Sequence, residues 1–380
     1  MKPRIPIFAI ALLLCHQLLG AAESSPLPTS ERWTVEKANA WQAAQPWLVG
    51  ANFIPSTAIN QLEMWQAATF DPVTIDRELG FAENIGMNTM RVFLHDIPWR
   101  EDAAGYFSRI DAFLEIANKH HIRPLFVIFD GCWNPNPQPG KQPAPIPGLH
   151  NSGWVQSPGR TYLGDAAKQD SLKPYVVALL TRYKNDRRVL AWDLFNEPDN
   201  PNREPYGREG DHTELSEADK KKFAAQLLDK EFAWARQVNP SQPLTVGVWF
   251  GDYLHHPNAV QRLSLEKSDV ISFHCYDGPA EMQKEINKVK TLGRPVLCTE
   301  YMARGNHSTF QGILPVLKAN GVAAYNWGLV SGKSQTIYPW DSWKHHYTNE
   351  PTVWFHDVFH ADGTPFSVPE VQLIRKLTGS

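Results

Sequence analysis

Short apolar runs alternate along the chain with longer segments whose apolar residues recur at helical offsets. Eight runs have the length and make-up of buried strands: Trp47–Phe53, Asn88–His95, Arg123–Asp130, Val189–Asn196, Pro243–Phe250, Asp269–Tyr276, Arg294–Tyr301 and Val322–Val330. Amphipathic stripes lie between them. Ile75, Leu79, Ala82 and Ile85 form one, and Leu172, Tyr175, Val176, Leu179, Leu180 and Tyr183 form another. In "NIGMNTMRVFL" and "LKANGVAAYNWGL" a glycine separates a helical stripe from the next strand. A helix C-terminus favours glycine there.

Eight strands alternating with helices point to an α/β fold, a (β/α)8 TIM barrel with its site at the C-terminal ends of the strands. An open doubly wound sheet would carry a glycine-rich first turn, whereas Pro55 and Ser56 follow the first strand here. The pattern predicts one barrel domain over residues 46–380, interrupted twice. An insertion over 131–170 follows the third strand; its centre, "NPNPQPGKQPAPIPGLHNSGWVQSP", reads as a rigid, partly extended loop. A loop over 331–364, rich in Trp, Tyr and His, follows the eighth strand and precedes a last helix at Pro369–Leu377.

The first residues change the picture of where the chain works. Lys2 and Arg4, the apolar run Ile5–Leu14 and the small residues of "GAAE" read as a signal peptide over 1–22, with a segment over 23–45 leading into the barrel. The expected location is therefore periplasmic or extracellular. The apolar run is too short to cross a bilayer, and no second run approaches that length, so no membrane insertion is expected. A net charge of -3 gives no electrostatic case for nucleic acid. Beyond the signal stand Cys132, Cys275 and Cys298, an odd number without metal-ligand spacing, which reads as buried free thiols.

The candidate chemistry sits at strand ends. "WDLFNEPDN" closes the fourth strand on Asn196 and Glu197, and "PVLCTEYMA" closes the seventh on Glu300. In a barrel these strands face each other across the mouth. Two carboxyls over a cleft are what glycoside hydrolysis requires: one protonates the departing oxygen, the other attacks the anomeric carbon or activates a water. Neighbouring residues on a regular strand point to opposite faces. For Asn196 and Glu197 both to reach a substrate, the strand must bulge or turn, with Pro198 helping to enforce it.

With these motifs the chain resembles the clan A glycoside hydrolases, and most of all glycoside hydrolase family 5, the cellulase family, over essentially its whole length after the signal. The resemblance implies Glu197 as acid/base and Glu300 as nucleophile. Arg91 in "MRVFL", His274 and Tyr276 in "SFHCYD" and Trp327 in "YNWGL" also fall where that family has functional residues, and the resemblance implies that they bind substrate. One departure is Cys132 in "FDGCWN", where the family usually has a histidine.

The motifs and the resemblance together predict a retaining β-glycoside hydrolase that acts on a β-linked oligosaccharide or polysaccharide by double displacement, with no metal or organic cofactor. Arg91 and the Tyr276 hydroxyl would favour an ionised Glu300, and a less polar setting near His274 would keep Glu197 protonated. Asn196 would hold the hydroxyl next to the anomeric carbon, and Trp327 would stack on a sugar face. Asp130 and Asn52 end strands three and one and are candidates for substrate hydrogen bonds, with His95 behind them. Trp133 and Trp249, with Trp154, Trp340 and Trp343, lie on loops that could extend a groove. A retaining pair stands about 5–5.5 Å apart and an inverting pair roughly 6.5–9.5 Å. The proline-rich loop predicts a narrowed cleft. Two other readings of the same residues are a carbohydrate-binding barrel without turnover and a transglycosylase.

Overall fold

The structure is a computed structural model and describes residues 31–202 and 215–380; the signal peptide expected over 1–22 lies outside the described residues. All eight strands form: β1 (Val49–Phe53), β2 (Thr89–Phe93), β3 (Arg123–Asp130), β4 (Ala191–Asn196), β5 (Leu244–Thr245), β6 (Ile271–His274), β7 (Val296–Tyr301) and β8 (Ala323–Trp327). They pair in parallel in the order β5-β4-β3-β2-β1-β8-β7-β6. The Val248 amide donates to Ser272 O (3.0 Å) and Val248 O accepts from the His274 amide (3.0 Å), which closes the ring between β5 and β6.

The fifth strand departs most from expectation. Within Pro243–Phe250 the ladder with β4 shrinks to two residues, and the Val246 amide bonds the Ser268 hydroxyl (3.0 Å) instead of a neighbouring strand before pairing resumes with β6 at Val248. The apolar run is still buried there, so periodicity alone did not reveal the break.

The helical stripes fold as read. The helix Pro72–Glu83 starts with Asp71 Oδ1 accepting from the Thr74 amide (3.0 Å) and with proline in its first turn, and it buries Ile75, Leu79 and Ala82. Gly86 follows it at φ 73°, in the left-handed region that an L side chain enters only at a cost. The helix Lys173–Tyr183 buries Tyr175, Val176, Leu179, Leu180 and Tyr183 against the sheet. A last helix, Val368–Thr378, closes the chain as expected.

Strand alternation divides the interior. On β3, Phe126 and Ile128 join the sheath under the helices, while Leu125 points into the barrel. There Leu48, Leu190, Val270, Leu297 and Tyr325 complete an apolar floor with it. Higher up lies a polar layer of Arg91, Asp193 and Asn52, all buried. The mouth stands on that layer.

Candidate active site

The strand end at Asn196–Glu197 turns as anticipated. Glu197 has φ 40°, and its carbonyl accepts from the Asn200 amide (3.0 Å) to start a turn. This swings the Glu197 side chain to the same side as Asn196, whereas a continued strand would send it outward. Gly131 makes the close approach possible: its amide bonds Asn196 O (2.8 Å), and a Cβ there would lie 2.1 Å from Glu197 O. The β6–β7 register shifts at Phe273/His274 and sets His274 opposite Glu300.

The two carboxyls meet around one imidazole. His274 Nδ1 is 2.9 Å from Glu197 Oε1 and 3.5 Å from Glu300 Oε2. Glu197 Oε2 accepts from Asn200 Nδ2 (2.6 Å) and the Cys132 thiol (3.4 Å). Glu300 accepts from Arg91 Nη1 at Oε1 (2.8 Å) and from the Tyr276 hydroxyl at Oε2 (2.7 Å). One oxygen of each glutamate and a nitrogen of His274 lie within 4.8 Å of one another. These three could ligate a metal ion, but the Arg91 guanidinium already supplies a positive charge at Glu300.

Burial governs the protonation of this cluster. It raises the Glu197 carboxyl above the ordinary range, against hydrogen bonds from Asn200 and Cys132. It raises Glu300 as well, and the opposing pull of His274, Arg91 and Tyr276 does not overcome it. Arg91 and Tyr276 thus act on Glu300 as expected, but they offset desolvation only in part. Burial also pushes His274 down to about 4, so its ring is neutral. Its Nε2 has no partner. A proton on Nδ1 leaves only a lone pair unsatisfied, and that nitrogen then donates to Glu197.

Several residues expected to touch substrate instead support those that border the cavity. Arg91 is fully buried and binds Asp193 Oδ2 (2.8 Å), Asn196 Oδ1 (2.7 Å) and Asn52 Oδ1 (2.9 Å) besides Glu300. Asp130 is fully buried and accepts from Gln61, Trp154, Asn196 and the Cys132 amide. It therefore has no face for a sugar, and burial pushes its carboxyl up to about 7. Asn52 spends its amide on Thr299 O (2.8 Å) and borders only a niche of about 20 Å³ beside Trp327. His274 lies against the two carboxyls and does not line the cavity. His95 is buried and caps a helix through the Ile97 amide (3.1 Å). A strand end shows only that a side chain comes near the mouth; whether loops then cover it is a tertiary matter.

The cavity over the carboxyls measures about 210 Å³. Asn196, Glu197, Tyr276, Glu300 and Trp327 line it, as do Trp133, Trp154, Trp249, Trp340 and Trp343. The Trp327 ring is braced edge-on by Phe93 (5.7 Å, 80°) and Trp154 (5.8 Å, 66°), and Trp249 Nε1 donates to Asp199 (3.0 Å). Sequence reasoning missed Asn200, His150, Asn151 and His356, which also line the cavity. Asn200, three residues past Glu197, was within reach of a turn argument. The histidines lie on irregular loops, where no periodicity applies. Cys132, read as a buried free thiol and as a departure from the family, is buried, borders the cavity and touches Glu197.

The family model Cellulase (glycosyl hydrolase family 5) matches residues 146–333. A search of curated proteins finds no match. Among solved structures, a GH5_18 enzyme of Streptomyces cattleya in complex with Manb1-4GlcNAc is 12% identical, with 88% of this chain and 80% of that one covered and a TM-score of 0.57. The exo-beta-1,4-mannosidase of Opitutaceae bacterium strain TAV5 is 18% identical, covering 88% and 60% at a TM-score of 0.58. The endo-beta-1,4-mannanase of Thermotoga petrophila is 14% identical, covering 89% and 77% at 0.54. At such identities these structures share the barrel fold with this chain.

Proposed function

From the glycoside hydrolase family 5 likeness of residues 146–333 as premise, we propose that this chain is a retaining β-glycoside hydrolase, with Glu300 as nucleophile and Glu197 as acid/base. The observation that carries the reading is the approach of the two carboxyls. The nearest oxygens of the two carboxyls lie within 4.8 Å of one another, an approach that suits the retaining spacing of about 5–5.5 Å better than the roughly 6.5–9.5 Å of an inverting pair.

The chemistry proceeds in two displacements. Glu300 attacks the anomeric carbon while Glu197, whose protonated form burial favours, gives its proton to the leaving oxygen. Bond formation removes the charge on Glu300, so the proton affinity of Glu197 falls. Glu197 then takes a proton from the water that releases the sugar. Trp327 offers a flat apolar face to the ring in the site. Asn196 is held in one orientation by Arg91 and Asp130, so a hydroxyl that it meets is met without reorganisation.

The mannosidase and mannanase among the structural neighbours make β-1,4-mannosides the first substrates to try. The signal peptide read over 1–22 would place this work in the periplasm or outside the cell. The test is turnover of β-linked aryl glycosides and oligosaccharides by wild type and Glu300→Ala, with the first-formed anomer followed by proton NMR. A β product, lost in the variant, is expected. An α product first would overturn retention, and binding without turnover would make the barrel a sugar-recognition protein.

A further inference from the structure

The insertion after β3 and the loop after β8 are joined across the mouth. The His150 amide donates to Ser342 Oγ (3.0 Å) and Trp343 Nε1 to His150 O (3.0 Å). The Asn151 amide donates to Ser334 O (2.9 Å), Gln335 Nε2 to Ile146 O (2.7 Å) and the Tyr347 amide to Gly148 O (3.0 Å). The second loop is in turn tied to the segment after β7, where the Arg304 amide donates to Phe355 O (3.0 Å). Together these bonds wall the mouth from β3 past β2, β1 and β8 to β7. Among the described residues the remaining arc belongs to β4, β5 and β6, where Glu197, Asn200, Trp249 and Tyr276 stand. The leaving oxygen must face its proton donor, so the departing part of a substrate lies toward this arc. The sugar that Glu300 attacks lies against the wall.

The cavity of about 210 Å³ is smaller than the roughly 300–1,000 Å³ of ordinary ligand sites, which suits one ring better than a run of them.

Resting on the hydrolase reading above, we propose that the joined loops make this an exo-acting site that removes the sugar at the non-reducing end, the wall stopping the chain beyond that sugar. The test compares β-1,4-linked mannopentaose labelled at its reducing end with the same chain capped as a 4,6-benzylidene at its non-reducing end. We expect a ladder that shortens one sugar at a time, with monosaccharide as the only early unlabelled product and at least 100-fold slower cleavage of the capped chain. Early internal fragments, or equal rates on the two substrates, would overturn the exo assignment and leave the hydrolase reading intact. If neither this pair nor the matching β-glucan and β-xylan pairs are cleaved, the hydrolase reading fails and the exo assignment falls with it. In the double variant Gln335→Ala/Ser342→Ala, which loosens the wall outside the cavity lining, the capped chain should gain at least tenfold relative to the free one. An unchanged ratio would remove the wall as its cause.

Discussion

His274 Nδ1 stands 2.9 Å from Glu197 Oε1, and the bulge that turns His274 toward Glu300 makes the same nitrogen a neighbour of both carboxyls. A neutral imidazole between two buried acids separates them and gives one of them a donor. His274→Ala should lower kcat/KM by about 10²–10³-fold, the usual cost of removing one positioned donor. Initial rates on an aryl β-glycoside, with an unchanged melting temperature as control, check this. A loss of less than tenfold would count against the role.

Asn200 should control the alkaline limb of the pH profile. The pair works only with Glu300 ionised and Glu197 protonated, and the two limbs belong to the pair rather than to single residues. The Asn200 hydrogen bond stabilises ionised Glu197 and opposes the effect of burial. Removing it in Asn200→Ala favours the proton, so the alkaline limb of kcat/KM should move to higher pH. A shift to lower pH would contradict this reading.

Gly131 has a steric task that no side chain can share. A Cβ at 2.1 Å from Glu197 O must displace the turn that presents the acid. Misplacement of a catalytic group by about 1 Å costs roughly 10²-fold. Gly131→Ala should therefore lose about that much in kcat while its circular dichroism stays native. Full activity in this variant would mean that the turn can relax.

Arg91 matters to stability as well as to catalysis. It is fully buried and pairs with Asp193, itself fully buried, and with Glu300. Removing one partner of a buried pair strands the other charge, at about 3–5 kcal/mol. Arg91→Met should lower unfolding stability by about that amount in a urea titration read as a lower midpoint at constant slope. A loss near zero would show that the buried pairs of Arg91 contribute nothing net to stability.

Much of the barrel was legible because two periodicities are local properties of the chain. The stripe Tyr175, Val176, Leu179, Leu180 and Tyr183 could be read from spacing, and so could eight apolar runs of strand length. The exception, β5, shows the limit: Ser268 takes the Val246 amide from another segment, and no local pattern encodes that.

The carboxyl pair was also legible, since "FNEP" and "CTEY" mark Glu197 and Glu300 by residue type at strand ends. Proximity to the mouth was thereby determined, and so was the need for a turn, later met by φ 40° at Glu197. Only the tertiary structure decided who meets a ligand. Arg91 and Asp130 sit at or near strand ends as Glu300 does, yet loops and neighbouring strands keep them off the cavity, while His150 and His356, themselves buried, border it from segments without any period. The reason is physical: a strand fixes the direction of its side chains through local backbone geometry, but exposure at a barrel mouth depends on which distant loops close over it. Here that depends on bonds such as His150 to Ser342, between residues 192 positions apart.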